Sequence, residues 1–231
     1  MANSINEDIL KGMSTDNNTF SLLPQDDDLD IIHTRQYETR IYRISESEML
    51  VRGAISDMKP PGLYVPDDPE ELEIHQMHVE LTVKLPQLEI TNARTAFETH
   101  PHTSCPKIID HYKELIGLNV ARGFTHKVRE LFGGPRGCTH ITALLQAMAP
   151  AIVQATWSMA VLQRRESGLA PGAVDKNREK MHQGNINTCH VWAEDGEHIQ
   201  EFREGKMPEP PLQVTERLIQ LGRKPEEWRV F

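Results

Sequence analysis

The chain has 231 residues, 38% of them hydrophobic and 26% charged, with a formal net charge of −9. That length fits one substantial core with short appendages, and the composition fits a soluble globular protein. Residues 1–30 carry seven acids against Lys11, so −6 of the charge sits there and only −3 is spread over the remaining 201 residues. The near-neutral remainder offers no basic field that would recruit nucleic acid.

The first thirty residues, with NNT and QDDDLD and few large apolar side chains, cannot offset the entropy of ordering and read as a disordered acidic tail. No basic segment followed by an apolar run opens the chain, so no secretory signal is expected. Three cysteines suit a reducing cytoplasm better than a disulfide framework.

From Ile31 to Lys59, IIHTRQYETRIYRIS and MLVRGAISDMK are rich in β-branched and aromatic residues, and SESE makes a turn between them; the pattern predicts a hairpin or meander. Pro60–Glu71, PPGLYVPDDPEE, breaks regular structure. The cleanest strand follows, with His75, Met77, Val79, Leu81, Val83 and Leu85 on one face. LEITNARTAF is its expected hairpin partner, with less regular alternation.

The period then changes to that of helices. PKIIDHYKELI, residues 106–116, begins with proline in a first turn and places Ile108, Ile109, Tyr112, Leu115 and Ile116 on one side. FTHKVRELF predicts a brief helix ending at Gly133-Gly134. A long helix is expected from about Thr139, kinked or divided at Pro150. Residues Ile141–Leu162 carry no charge for 22 positions, long enough to span a bilayer. The ribbon Thr142, Gln146, Pro150, Gln154 and Ser158 would be penalised in lipid, so a buried helix of a soluble protein is expected and no membrane partner. Beyond Arg165 the chain reads as a loop through GLAPGAVDKN, TCHVW as a short strand or turn, and Leu212–Leu221 as an amphipathic helix. The expected organisation is a disordered acidic tail over 1–30, one α+β domain over 31–205, and a tail over 206–231 with a short helix. An antiparallel sheet from the N-terminal half packs against helices of the C-terminal half.

Chemistry concentrates at GGPRGCTH. Gly133, Gly134 and Gly137 allow a sharp turn and close backbone approach. If Thr139 is the N-cap, the Cys138 thiol meets the positive end of the helix dipole, which favours thiolate. His140, two residues on, can share an ion with Cys138 or act as its base. Cys105 lies in THPHTSCP with His102 before it, and Cys189 is followed by His190. The alternative for each cysteine is an inert core thiol. His75 reads as a core histidine or a ligand. The group His33, Arg35, Arg40, Arg43 and Arg52 reads as an anion site or as a solvated face paired with nearby acids.

HTRQYETRIYR, SDMK, IHQMHVELTV, LEITNARTAFETHPHTSCP, YKELIGLNVARGFTHKVRELFGGPRGCTHITALL and NTCHVW resemble, in order, the bacterial domain-of-unknown-function 2889 family, marked by an IHxM strand and a GCTHL-like turn, over about residues 31–195. That resemblance implies no reaction. The order of elements is also similar to the iron–sulfur scaffold and sulfur-acceptor fold; carried over, Cys105 would match the cysteine after the sheet and Cys138 the one starting the last helix. The chain departs from that pattern at LPQL, where the scaffolds have a cysteine, and His140 follows the last cysteine where theirs precedes it.

Two main functions are therefore expected. In the first, Cys105, Cys138, His140 and Cys189 bind an iron–sulfur cluster or zinc, or handle sulfur, with Thr142 and Gln146 supporting the ligands. In the second, Cys138 attacks an acyl or carbonyl carbon with His140 or His75 as base. A third possibility is a ligand-binding or homodimerising module in which none of these residues reacts.

Overall fold

A computed structural model of the chain describes residues 22–23, 29–168, 185–206 and 211–228. Nearly all of the acidic tail and most of the GLAPGAVDKN loop lie outside them. The strands are β1 (Thr34–Arg43), β2 (Glu48–Lys59), β3 (Leu72–Lys84) and β4 (Glu89–Thr99), in one four-stranded sheet ordered β1-β2-β3-β4. The helices are α1 (Phe124–Phe132), α2 (Thr139–Glu166), α3 (Glu197–Arg203) and α4 (Leu212–Gln220). The fold is the expected α+β arrangement of an antiparallel meander followed by helices.

Two compact units are present. The first contains the described residues up to Tyr42 and Ser47–Pro150; the second contains Arg43–Glu46 and the described residues from Ala151 onward. The division falls at Pro150, inside α2, and α2 continues through it.

In the first unit, period-two alternation builds one buried sheet face. Met49, Val51 and Ile55 of β2 and Met77, Val79, Leu81 and Val83 of β3 are each at most 1% exposed. The irregular alternation of β4 has a local cause. Thr82 pairs with Asn92 but Val83 with Ile90, so Thr91 is an extra residue; this β-bulge lets Ile90 and Ala93, three apart, share the buried face.

Residues Cys105–Leu115 form a 3-10 helix, where the sequence predicts an ordinary helical turn pattern. Tyr112 and Leu115, three apart, are its buried residues, a spacing that the three-residue turn brings into line. Ile116, expected on the same side, ends the turn 47% exposed. Phe124, Val128 and Phe132 of α1 are buried, and the Phe132 ring lies 4.7 Å from that of Tyr112.

The first half of α2 lies over the sheet. Ile141, Leu144, Leu145 and Met148 are fully buried, and Met148 fills the space left by Gly53 in β2, where an added Cβ would stand 2.4 Å from its sulfur. α2 is long and apolar enough to cross a membrane by length and hydropathy, but in this half the apolar side chains serve a protein core.

In the second unit, the later half of α2 carries Arg43 Nη1 on Glu166 Oε1 at 2.7 Å, and Gln163 donates to the Glu46 carbonyl at 2.7 Å. TCHVW forms a turn followed by a 3-10 helix, His190–Trp192. The Trp192 ring centroid lies 6.4 Å from that of Trp157 and 4.7 Å from that of His198.

Candidate active site

The buried faces of β2 and β3 end in polar residues. Along β2 the inward positions run 49, 51, 53, 55 and then Asp57; along β3 they run 83, 81, 79, 77 and then His75. Asp57 and His75 are direct cross-strand partners, beside a bulge at which Met58 pairs with Glu73 and Ile74 is extra. Bulges recur where a sheet must re-aim a side chain.

Asp57 is 1% exposed, and a buried carboxylate is costly unless paired and hydrogen-bonded. Arg35 of β1 holds it in a fork, Nε on Oδ1 at 2.6 Å and Nη2 on Oδ2 at 2.7 Å. His75 Nδ1 lies 3.0 Å from Oδ2, His140 Nε2 lies 3.2 Å from Oδ2, and His33 Nε2 lies 3.4 Å from Oδ1. Burial works to raise the carboxyl pKa, but the Arg35 hydrogen bonds and charge, with His140 and His33, outweigh it and hold Asp57 at about 2. Asp57 is therefore an acceptor-only anion at neutral pH.

His140 arrives from the start of α2. From Met148 back to His140 the helix rises about 12 Å, and from Gly53 to Asp57 the strand covers about 13 Å. The contact of Met148 with Gly53 thus sets the helix start over the end of the buried face. The preceding turn needs its glycines. A Cβ on Gly137 would stand 2.5 Å from the Phe132 carbonyl oxygen, and one on Gly133 would stand 2.3 Å from that of Arg129.

Cys138 occupies the cap position expected for Thr139: its carbonyl accepts from Thr142 N–H at 2.9 Å. Its own N–H donates to the Tyr112 hydroxyl at 2.7 Å. Burial, helped by the charge of Cys138 and opposed by that hydrogen bond, pushes the Tyr112 phenol up to about 12, so it stays protonated. The Cys138 thiol is half-buried and its Sγ lies 3.6 Å from His140 Nδ1.

His140 is 16% exposed, and its ring centroid lies 3.9 Å from that of His75. Burial first, then His75 and Arg35, push its pKa below the usual histidine value against the pull of Asp57. The ring is therefore neutral near pH 7. Because ionised Asp57 can only accept, the ring proton belongs on Nε2 and the Nδ1 lone pair faces the thiol. A thiol, an imidazole and a fixed carboxylate stand in sequence.

The structure does not gather the three cysteines. Cys105 opens the 3-10 helix and is half-buried; Cys189 is exposed and belongs to the second unit. Among the described residues, the group of three histidine, cysteine or acidic side chains whose donor atoms all lie within 4.8 Å of one another is Asp57, His75 and His140. With no cysteine in that group, no iron–sulfur ligand set is assembled among the described residues. Thr142, expected to support the ligands, donates instead to the Phe132 carbonyl at 3.2 Å. Of the basic group, His33 and Arg35 join Asp57, while Arg40, Arg43 and Arg52 pair with Glu38, Glu166 and Glu80.

Asp57 is the residue that sequence reasoning missed. The available signal was phase: in MLVRGAISDMK it stands where the next inward apolar residue of β2 belongs.

The model of the family described as protein of unknown function (DUF2889) matches residues 33–154, just over half of the chain. The chain belongs to that family. No curated protein and no solved structure matches it significantly. The matched segment runs from His33 to Gln154 and contains Arg35, Asp57, His75, Tyr112, Cys138 and His140.

Proposed function

We propose that this member of the DUF2889 family is a cysteine-dependent enzyme acting on an acyl or carbonyl carbon, with Cys138 as nucleophile, His140 as base and Asp57 as the group that orients the base. One observation carries this reading: the continuous path from Cys138 Sγ to His140 Nδ1, 3.6 Å, and from His140 Nε2 to Asp57 Oδ2, 3.2 Å. Each member has the partner that its role requires.

The thiol proton passes to His140 Nδ1 as Sγ bonds to the carbonyl carbon and the C=O π pair moves onto oxygen. Asp57 stabilises the imidazolium. N–H groups of the first turn of α2, which lack partners within the helix, face the developing oxyanion. The intermediate collapses with loss of the leaving group, which takes the proton from His140, and leaves a thioester on Cys138. Water then attacks the thioester through the same base and restores the thiol. All three cysteines are free, as a reducing cytoplasm would keep them.

The test is the rate of alkylation by iodoacetamide at pH 7, resolved by peptide mass spectrometry. Half-buried Cys138 is expected to react faster than exposed Cys189, and His140→Gln to slow it while leaving Cys189 unchanged. On a panel of activated esters and thioesters, His140→Gln is expected to lower turnover about 10²–10⁴-fold. If Cys138 reacts no faster than Cys189 and Cys138→Ser hydrolyses the panel as the wild type does, this reading fails.

A second reading, cation binding, is favoured by the convergence of the Asp57, His75 and His140 donor atoms within 4.8 Å.

A further inference from the structure

His140 Nε2 faces two incompatible demands. As the orienting contact to Asp57 it carries a proton; as a metal ligand it must give that proton up. Its surroundings suit either state. Asp57 Oδ2 lies 3.0 Å from His75 Nδ1 and 3.2 Å from His140 Nε2. Two donors bound to one ion at roughly 2.0–2.2 Å are about 3.0–3.4 Å apart at octahedral to tetrahedral angles. Each imidazole already has that spacing from the carboxylate, all three donor atoms lie within 4.8 Å of one another, and they come from three separate elements, β2, β3 and α2. Two imidazoles and a carboxylate suit zinc and neighbouring first-row divalent ions. Two features weaken the site: Arg35 donates to the same Oδ2 at 2.7 Å, and His33 lies 3.4 Å from Oδ1. A guanidinium charge so close to a cation lowers its affinity, which points to reversible occupation.

We infer that Asp57, His75 and His140 form an inhibitory divalent-cation site, which switches Cys138 off by converting its base into a ligand. With the ion on Nε2, the remaining ring proton sits on Nδ1, which faces Cys138 Sγ at 3.6 Å. The lone pair that would accept the thiol proton is then gone. The ring keeps its single proton, which is lost from Nε2 and replaced from solvent on Nδ1; no net proton is released, no electron is transferred, and chelation reverses the change. The inhibition rests on the thiol reading above; the cation site does not.

The experiment uses the full chain, freed of metal by chelation, and zinc chloride as the probe. Calorimetry is expected to show one zinc bound per chain. Cys138→Ser is expected to keep the affinity, and His75→Gln to lower it by about tenfold or more. In the wild type, one equivalent of zinc is expected to slow alkylation of Cys138 while leaving Cys189 unchanged, and chelator to restore the rate. Cobalt bound to the wild type is expected to show visible d–d bands without a sulfur-to-metal charge-transfer band, a readout that needs no variant to fold. The inference is overturned if zinc does not bind, if binding survives His75→Gln, if it is lost in Cys138→Ser, or if bound zinc leaves Cys138 alkylation unchanged. Slow alkylation in the metal-free protein would instead sink the thiol reading, and calorimetry would still decide the cation site.

Discussion

Strand β2 carries a charged residue on each face of the sheet, and the two behave as different kinds of object. Arg52 meets its cross-strand partner Glu80 at 2.9 Å, with the arginine 58% and the glutamate 30% exposed. Five residues on, Asp57 meets its cross-strand partner His75 at 3.0 Å and is itself 1% exposed. The distances are nearly equal. What differs is water: the first pair is screened and replaceable, whereas the carboxylate of the second depends on Arg35, His75, His140 and His33 for its solvation. An ion pair in a sheet acquires chemistry when solvent is withheld from it.

The sharpest way to break that contrast is Asp57→Ala. It leaves the Arg35 charge and three histidines without their acceptor and is expected to cost about 3 kcal/mol in urea unfolding, the low end for a broken buried pair because Arg35 is 35% exposed. A cost below about 1 kcal/mol would place Asp57 with the surface pairs.

Acid unfolding is the next test. The Asp57 pKa falls from its ordinary 3.8 to about 2 in the folded chain. A group with a depressed folded pKa contributes stability that is complete above the unfolded value and lost as pH falls through the folded one. About 2 kcal/mol is therefore expected to disappear between roughly pH 4 and pH 2, and Asp57→Asn to remove that slope. His140, also depressed, acts in the same direction at higher pH, its contribution complete above about 6.5 and declining below. An identical acid profile in wild type and Asp57→Asn would show that the carboxylate is not held as described.

A smaller effect is expected from Tyr112→Phe, which strands the Cys138 N–H. That loss is worth about 1–2 kcal/mol and should appear as a lower urea midpoint with an unchanged slope. Smallest is Glu80→Gln on the solvated face, expected to change stability by no more than about 0.5 kcal/mol.

The sheet was legible because the buried face of β3 alternates without a fault from Met77 to Val83, and a period of two has one structural meaning. β4 is harder to read because extra residues at Thr91, near its start, and at Glu98, near its end, shift the phase. The 3-10 form of Cys105–Leu115 was hidden because apolar residues three and four apart fit either helix type until burial selects the three-residue spacing. Within the site, Cys138 and His140 were visible because they are neighbours in sequence. The same local logic gave weight to Cys105 beside His102 and to Cys189 beside His190, where adjacency to a histidine says nothing about which distant residues the fold will bring. Asp57 is hard to see in the sequence because the apolar residues define a strand, and its sign is an acid occupying an apolar position.

The notch at Gly53 indexes the machine from a distance. With Met148 seated in it, helix α2 cannot creep along the strand by a fraction of a turn without driving its sulfur into the sheet backbone, so the gap between thiol, imidazole and carboxylate is calibrated two helical turns from where it is used. A bulkier residue at that remote position would detune the relay before it unfolded the protein, and the damage would register as sluggish alkylation of Cys138 in a chain that still melts cooperatively.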